Sequence, residues 1–124
     1  YVAMDIKAPR DKYLGVVITS LSNRLKPRVS LEDIDKSIEL VKKFQTSEFR
    51  TTVLPQFDEA DLRNMGRWVY GNQGGVDLYT IQQFNPEKCF DPHYEKLEPK
   101  PKEEIESFGE LMKNYSEEVR VLGL

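Results

Sequence analysis

Asp5 and Lys7 stand two residues apart at the end of an apolar run, YVAMDIKAP (residues 1–9). In an extended chain, residues two apart project from the same face, so a carboxylate and an ammonium leave the strand end together. Arg50 opens a second apolar run, FRTTVLP (49–55), and shares a face there with Thr52 and Leu54. Gln83, in VDLYTIQQF (76–84), shares a face with Ile81, and Asn85 joins them if the strand stays regular. A charged pair, a guanidinium and two amides at strand ends are groups that would bind a polar, partly anionic ligand. The plainer reading of Asp5 and Lys7 is a solvated ion pair. Arg50 argues for a ligand, because it begins an otherwise apolar strand, and a buried arginine needs an anion from protein or ligand.

These residues need a scaffold, and the chain alternates strand and helix patterns. Residues 1–7 read as a strand with Val2, Met4 and Ile6 on one face, closed by Pro9, which cannot donate to a ladder. A connector follows over 10–30, holding the short apolar piece Val16-Val17-Ile18. Ser30 is placed to cap a helix over 31–45, whose stripe is Leu31, Ile34, Ile38, Val41 and Phe44. Residues 49–55 are β-branched and end in proline, which predicts a strand. Asp58 is placed to cap a second helix over 59–71, with Leu62, Met65, Trp68 and Val69 inward and Gly71 as its stop. Gly74-Gly75 marks a turn into a strand over 76–84. A proline-punctuated segment then leads to a helix over 102–115 and a final strand over 118–124. This order predicts an α/β fold of parallel strands joined by right-handed crossovers in a single domain, 1–124. Doubly wound sheets and barrels both fit it, and both gather ligands at the carboxyl ends of their strands.

Composition narrows the function classes. The chain has 124 residues, 39% hydrophobic and 31% charged, enough for one domain with a real core. Its net charge of −3 gives no general attraction to nucleic acid or to an anionic membrane. The basic cluster Arg24, Lys26 and Arg28 lacks interleaved aromatics, so neither a nucleic-acid nor a membrane partner is expected. A single cysteine, Cys89, excludes an internal disulfide and fits a reducing, cytoplasmic setting.

Three segments in order, YVAMDIKAP, EFRTTVLP and LYTIQQFNPEKCFDP, resemble the later half of radical S-adenosylmethionine (SAM) activating enzymes. These are the activating proteins of anaerobic ribonucleoside-triphosphate reductase and pyruvate formate-lyase. The resemblance runs over essentially the whole chain, with helices matching between the segments. It implies the second half of a partial (β/α)6 TIM-like barrel, beginning at the fourth strand. In the complete enzyme a [4Fe-4S] cluster on a Cys-x-x-x-Cys-x-x-Cys loop reduces SAM, and the radical so formed takes a hydrogen atom from a glycine of a partner glycyl-radical enzyme. The cofactors carry that chemistry and the protein positions them.

By this resemblance Asp5 matches an aspartate beside the SAM site that helps hold a monovalent cation. Lys7 matches a lysine near the methionyl and ribose groups, and Arg50 an arginine that pairs with the SAM carboxylate. Asn85 stands where some relatives place a histidine near the nucleoside, with Gln83 as a substitute donor. The chain departs from the family in lacking both the cluster motif and the early glycine-rich SAM motif. One cysteine cannot supply three thiolates, so catalysis is expected to need an amino-terminal half carrying the cluster.

His93 is the only histidine and reads as a surface loop residue without a second metal ligand. Cys89 reads as an ordinary thiol, and the acidic and lysine-rich stretch 95–106 as a solvated connector and helix face. Two other function classes compete with the enzyme half: a non-catalytic module that self-associates, and a small ligand-binding domain using the same pocket. An isolated half leaves the edge of residues 1–7 unpaired, so either the missing half or a second copy, in a two-fold homodimer, is expected to cover it.

Overall fold

The computed structural model describes residues 1–13, 30–72, 74–86 and 98–124. The alternating patterns become β1 (Val2–Asp5), α1 (Leu31–Lys42), β2 (Ser47–Val53), α2 (Glu59–Tyr70), β3 (Leu78–Gln83), α3 (Lys102–Met112) and β4 (Glu118–Leu122). A short 3₁₀ turn at Arg10–Lys12, which the sequence pattern did not suggest, follows β1. The expected caps form. Ser30 Oγ accepts the Asp33 amide at 3.1 Å. Asp58 and Asp61 make a reciprocal capping box, with bonds of 2.9 and 3.0 Å. Gly71 ends α2 with φ of +59°, a conformation that favours glycine.

The strands lie in the order β1-β2-β3-β4, and every neighbouring pair is parallel. Each parallel neighbour needs a crossover, and crossovers of one hand running one way along a sheet put their helices on one side. Ile34, Ile38 and Val41 of α1, Leu62, Met65 and Val69 of α2, and Ile105, Phe108 and Met112 of α3 meet there. They pack against Phe49, Val53, Tyr79 and Ile81 of the sheet. The order never reverses, which makes this an α/β layer equivalent to half of a TIM-like barrel rather than a doubly wound sheet.

Buried hydroxyls stitch this core. The Thr51 Oγ1 donates to the Ile6 carbonyl at 2.9 Å and lies 2.6 Å from the fully buried Tyr79 Oη. Burial pushes the Tyr79 phenol up, against the hydrogen bond with Thr51, so it stays neutral.

Several boundaries differ from the sequence expectation. β1 ends at Asp5, so Lys7 lies beyond it. β2 begins at Ser47, two residues earlier than the β-branched run suggested. Phe44 falls past the end of α1 and is 53% exposed, because the helix stops before its stripe would place that ring inward. Trp68 is half-buried rather than a full core residue, and its indole Nε1 donates to Asp35 at 2.6 Å. Val16, Val17, Ile18, Arg24, Lys26, Arg28, Cys89 and His93 lie outside the described residues. Among the described residues no helix is long and apolar enough to cross a membrane.

Gly109 shows how closely α3 seats on the sheet: a methyl there would fall 2.7 Å from Cγ2 of Val121. Valine is stiff at χ1, so it yields poorly. Gly109→Ala is expected to lose about 1–3 kcal/mol to overpacking, outweighing a helix-propensity gain of about 1. A fall in the urea midpoint at constant m-value checks this.

Candidate functional site

With the helices on one side, the other face of the sheet carries polar side chains. Parallel register sets Asp5, Arg50, Thr80 and Arg120 in one row across all four strands. Alternation along each strand adds Ala3, Glu48, Thr52, Leu78, Gln82, Glu118 and Leu122 to the same face. Beyond the end of β1, Lys7 turns back onto Asp5, with Nζ to Oδ2 at 3.3 Å. Both side chains of that pair are more than half exposed, so it contributes little to stability.

Arg50 is not the buried arginine that the sequence suggested. Its side chain is 49% exposed, while the side chain of Glu48, two residues earlier on the same face, is 3% exposed. Arg50 Nε donates to Glu48 Oε1 at 2.8 Å, and Nη2 lies 2.7 Å from the same oxygen. Nη2 also donates to the Tyr1 Oη at 3.1 Å. The Tyr1 hydroxyl donates to Glu48 Oε1, and the Thr80 hydroxyl donates to Glu48 Oε2. One buried carboxylate thus gathers donors from the residue before β1, from β2 and from β3.

Burial alone would push the Glu48 carboxyl up. The hydrogen bonds from Arg50, Thr80 and Tyr1, with the Arg50 charge, outweigh burial and hold it down at about 2. The same contacts raise the Arg50 guanidinium, chiefly through its bond to Glu48.

Of the two expected amide donors, Gln83 does not join this face. Gln83 is in register with Val53, on the helix side, and Gln82 pairs with Thr52 on the face of Arg50. Gln83 Nε2 donates to the Lys100 carbonyl at 2.6 Å, and its Oε1 accepts the Phe84 amide at 3.0 Å. The convergence expected of Gln83 with Arg50 fails because side chains alternate: Gln83 lies three residues after Thr80, an odd step. Asn85 is exposed two residues beyond the end of β3. The structure therefore brings Asp5, Lys7 and Arg50 to one face and sends Gln83 to the other.

Glu48, Thr80 and Tyr1 were missed by sequence reasoning. The signal for Glu48 was present in EFR, where opposite charges stand two apart just as in DIK. The β-branched pattern starts the strand at Phe49, one residue after Glu48, so that pattern gives the Glu48 side chain no face. A second ion-paired group is structural: Arg10 forks onto Asp35 at 2.9–3.3 Å, and Lys12 reaches Asp61 at 2.6 Å. These contacts tie the segment after β1 to α1 and α2. Among the described residues no cluster of three metal-ligating side chains forms.

No family model matches the chain, and no solved structure matches it. A curated protein of Methanocaldococcus jannaschii, described as a "Putative glycyl-radical enzyme activating enzyme", is 37% identical over 126 aligned residues. The alignment covers 96% of this chain and 47% of that protein, so the chain spans about half the length of this curated relative.

Glu48 sets an acid limit on the fold. Its folded value lies below the ordinary 4.5, so its stabilisation is complete above about pH 4.5 and is lost as pH falls toward about 2. The wild-type chain is expected to lose roughly 2–3 kcal/mol from this group between about pH 5 and pH 2. Glu48→Gln should flatten that part of the curve, as read from urea midpoints at stepped pH.

Proposed function

We propose that this chain forms the carboxyl-terminal, SAM-facing half of a radical SAM enzyme that activates a glycyl-radical enzyme. The observation that carries this reading is the 37% identity along 96% of the chain to a protein described as such an activating enzyme. The polar face of a half-barrel-like sheet, on which Asp5, Lys7 and Arg50 are exposed, supports it, because a ligand enclosed by a closing barrel would meet that face.

The residues present suit SAM and do not suit its cluster. Arg50 offers an exposed, permanently charged fork to a carboxylate. Asp5 stands beside it in register and Lys7 just beyond, both solvent-accessible, to meet the ammonium, ribose or a cation. A [4Fe-4S] cluster needs three thiolates, and these 124 residues contain one cysteine, Cys89. The cluster ligands would come from outside these residues. When SAM and a reduced cluster are bound in the complete enzyme, they supply the one-electron chemistry that oxidises a partner glycine. This chain's part is to bind and orient: Arg50 takes the carboxylate, and Asp5 and Lys7 fix the groups around it. Asn85, two residues beyond β3, is the remaining candidate for the nucleoside, while the bonds of Gln83 to Lys100 and Phe84 engage it elsewhere.

Self-association is the competing reading, and one observation favours it. Among the described residues β1 pairs with β2 alone, so its other edge has no described strand beside it. A barrel strand from the rest of an activating enzyme or a second copy of this chain would meet the same need.

Reading the coding sequence upstream of the Tyr1 codon separates these. An in-frame Cys-x-x-x-Cys-x-x-Cys motif is the outcome expected of the enzyme half, whereas its absence there and in adjacent genes sinks that reading. In the protein itself, Arg50→Lys keeps the charge but loses the fork. It is expected to weaken SAM binding by about tenfold, followed by NMR shift titration, which reads millimolar affinities.

A further inference from the structure

We infer that Glu48 is the positioning residue for Arg50, holding its half-exposed guanidinium on the polar face of the sheet so that it presents a fixed fork to a ligand carboxylate. The inference rests on the SAM reading for the ligand's identity, but its geometry is that of this chain alone.

An ordinary ion pair on an open sheet face leaves both partners solvated. Here the carboxylate is buried at 3% exposure and the guanidinium is left 49% exposed. Burying a carboxylate is unfavourable unless its lone pairs are filled, and Glu48 fills them from three directions: Tyr1, Arg50 and Thr80. Thr80 and Tyr1 also fix the carboxylate itself, so the group that holds Arg50 is held in turn. The contacts to Arg50 use Nε and Nη2, two positions of one rigid plane, which sets the plane's orientation. Nη1 is the arm that makes none of these contacts. A long, free arginine would lose several rotatable bonds on meeting a ligand, and one already held loses fewer. Glu48 also repels a ligand carboxylate across the guanidinium, but its charge is already engaged by three donors. The two effects oppose each other in sign, so binding data can separate them.

Two ligands make the test: SAM, and decarboxylated SAM, which keeps the nucleoside and sulfonium but lacks the carboxylate. The full 124-residue chain and its Glu48→Gln variant are titrated with both at neutral pH. In parallel, ¹⁵N relaxation of the Arg50 Nε–Hε group reads how firmly the side chain is held. The wild type is expected to prefer SAM about tenfold. Glu48→Gln should reduce that preference to within about twofold by weakening SAM alone, with Arg50 Nε–Hε becoming mobile. A merely structural clamp would weaken both ligands equally, and that result overturns the inference. Unchanged or tighter SAM binding by Glu48→Gln overturns it too, since repulsion would then be the larger effect. If SAM fails to bind even the wild type, as a half site without the cluster-bearing part of the enzyme allows, the inference is judged on Arg50 alone. Retained order in Glu48→Gln then refutes it, while lost order in a folded chain supports it for another anion. Should Glu48→Gln not fold, Thr80→Val removes one support of the carboxylate, leaves Arg50 untouched and is expected to give the same pattern at smaller amplitude.

Discussion

Three crossovers running one way along a parallel sheet dictate almost everything else in this molecule. Each helix must return the chain to the start of the next strand, and handedness sends all of them to the same side. The side they cover becomes the core, and the other is left to polar groups. Asp5, Arg50, Thr80 and Arg120 are neighbours because parallel register aligns them, though they are far apart in the chain.

The polar face is organised around an inversion of the usual arrangement of charge. Carboxylate and guanidinium stand two apart on one strand, and the acid is the buried partner. Hydroxyls from either side, Tyr1 and Thr80, make that burial tolerable, and they bind the first three strands together in doing so. The same network that costs desolvation leaves Arg50 outward and aligned. Structure and candidate site share these atoms, so acid that protonates Glu48 weakens both together.

On the opposite side, hydroxyl chemistry serves the core alone. Thr51 bridges the Ile6 carbonyl and the Tyr79 phenol, satisfying polar groups that no water reaches. Helix α3 meets β4 with no spare volume at Gly109. A rigid, well-packed layer behind the sheet is what permits the exposed face to keep a fixed geometry.

Local pattern determined the elements. Apolar spacing and the caps Ser30, Asp58 and Gly71 were legible in the sequence, because helix starts and stops depend on nearby hydrogen bonds and φ. So was the parallel α/β class, which follows from alternation of strand and helix. Motif resemblance likewise singled out Asp5, Lys7 and Arg50 and gave the reading that the similarity to an activating enzyme supports. Strand ends, by contrast, depend on a partner strand, and that one uncertainty hid Glu48 two residues ahead of Arg50. Which of Gln82 and Gln83 faces Arg50 is a matter of register, where one residue moves a side chain through the sheet. That Arg50 is exposed while Glu48 is buried could be decided only in three dimensions. Burial is a property of the assembled fold, and the hydroxyls that make it tolerable for Glu48, those of Tyr1 and Thr80, come from outside its own strand.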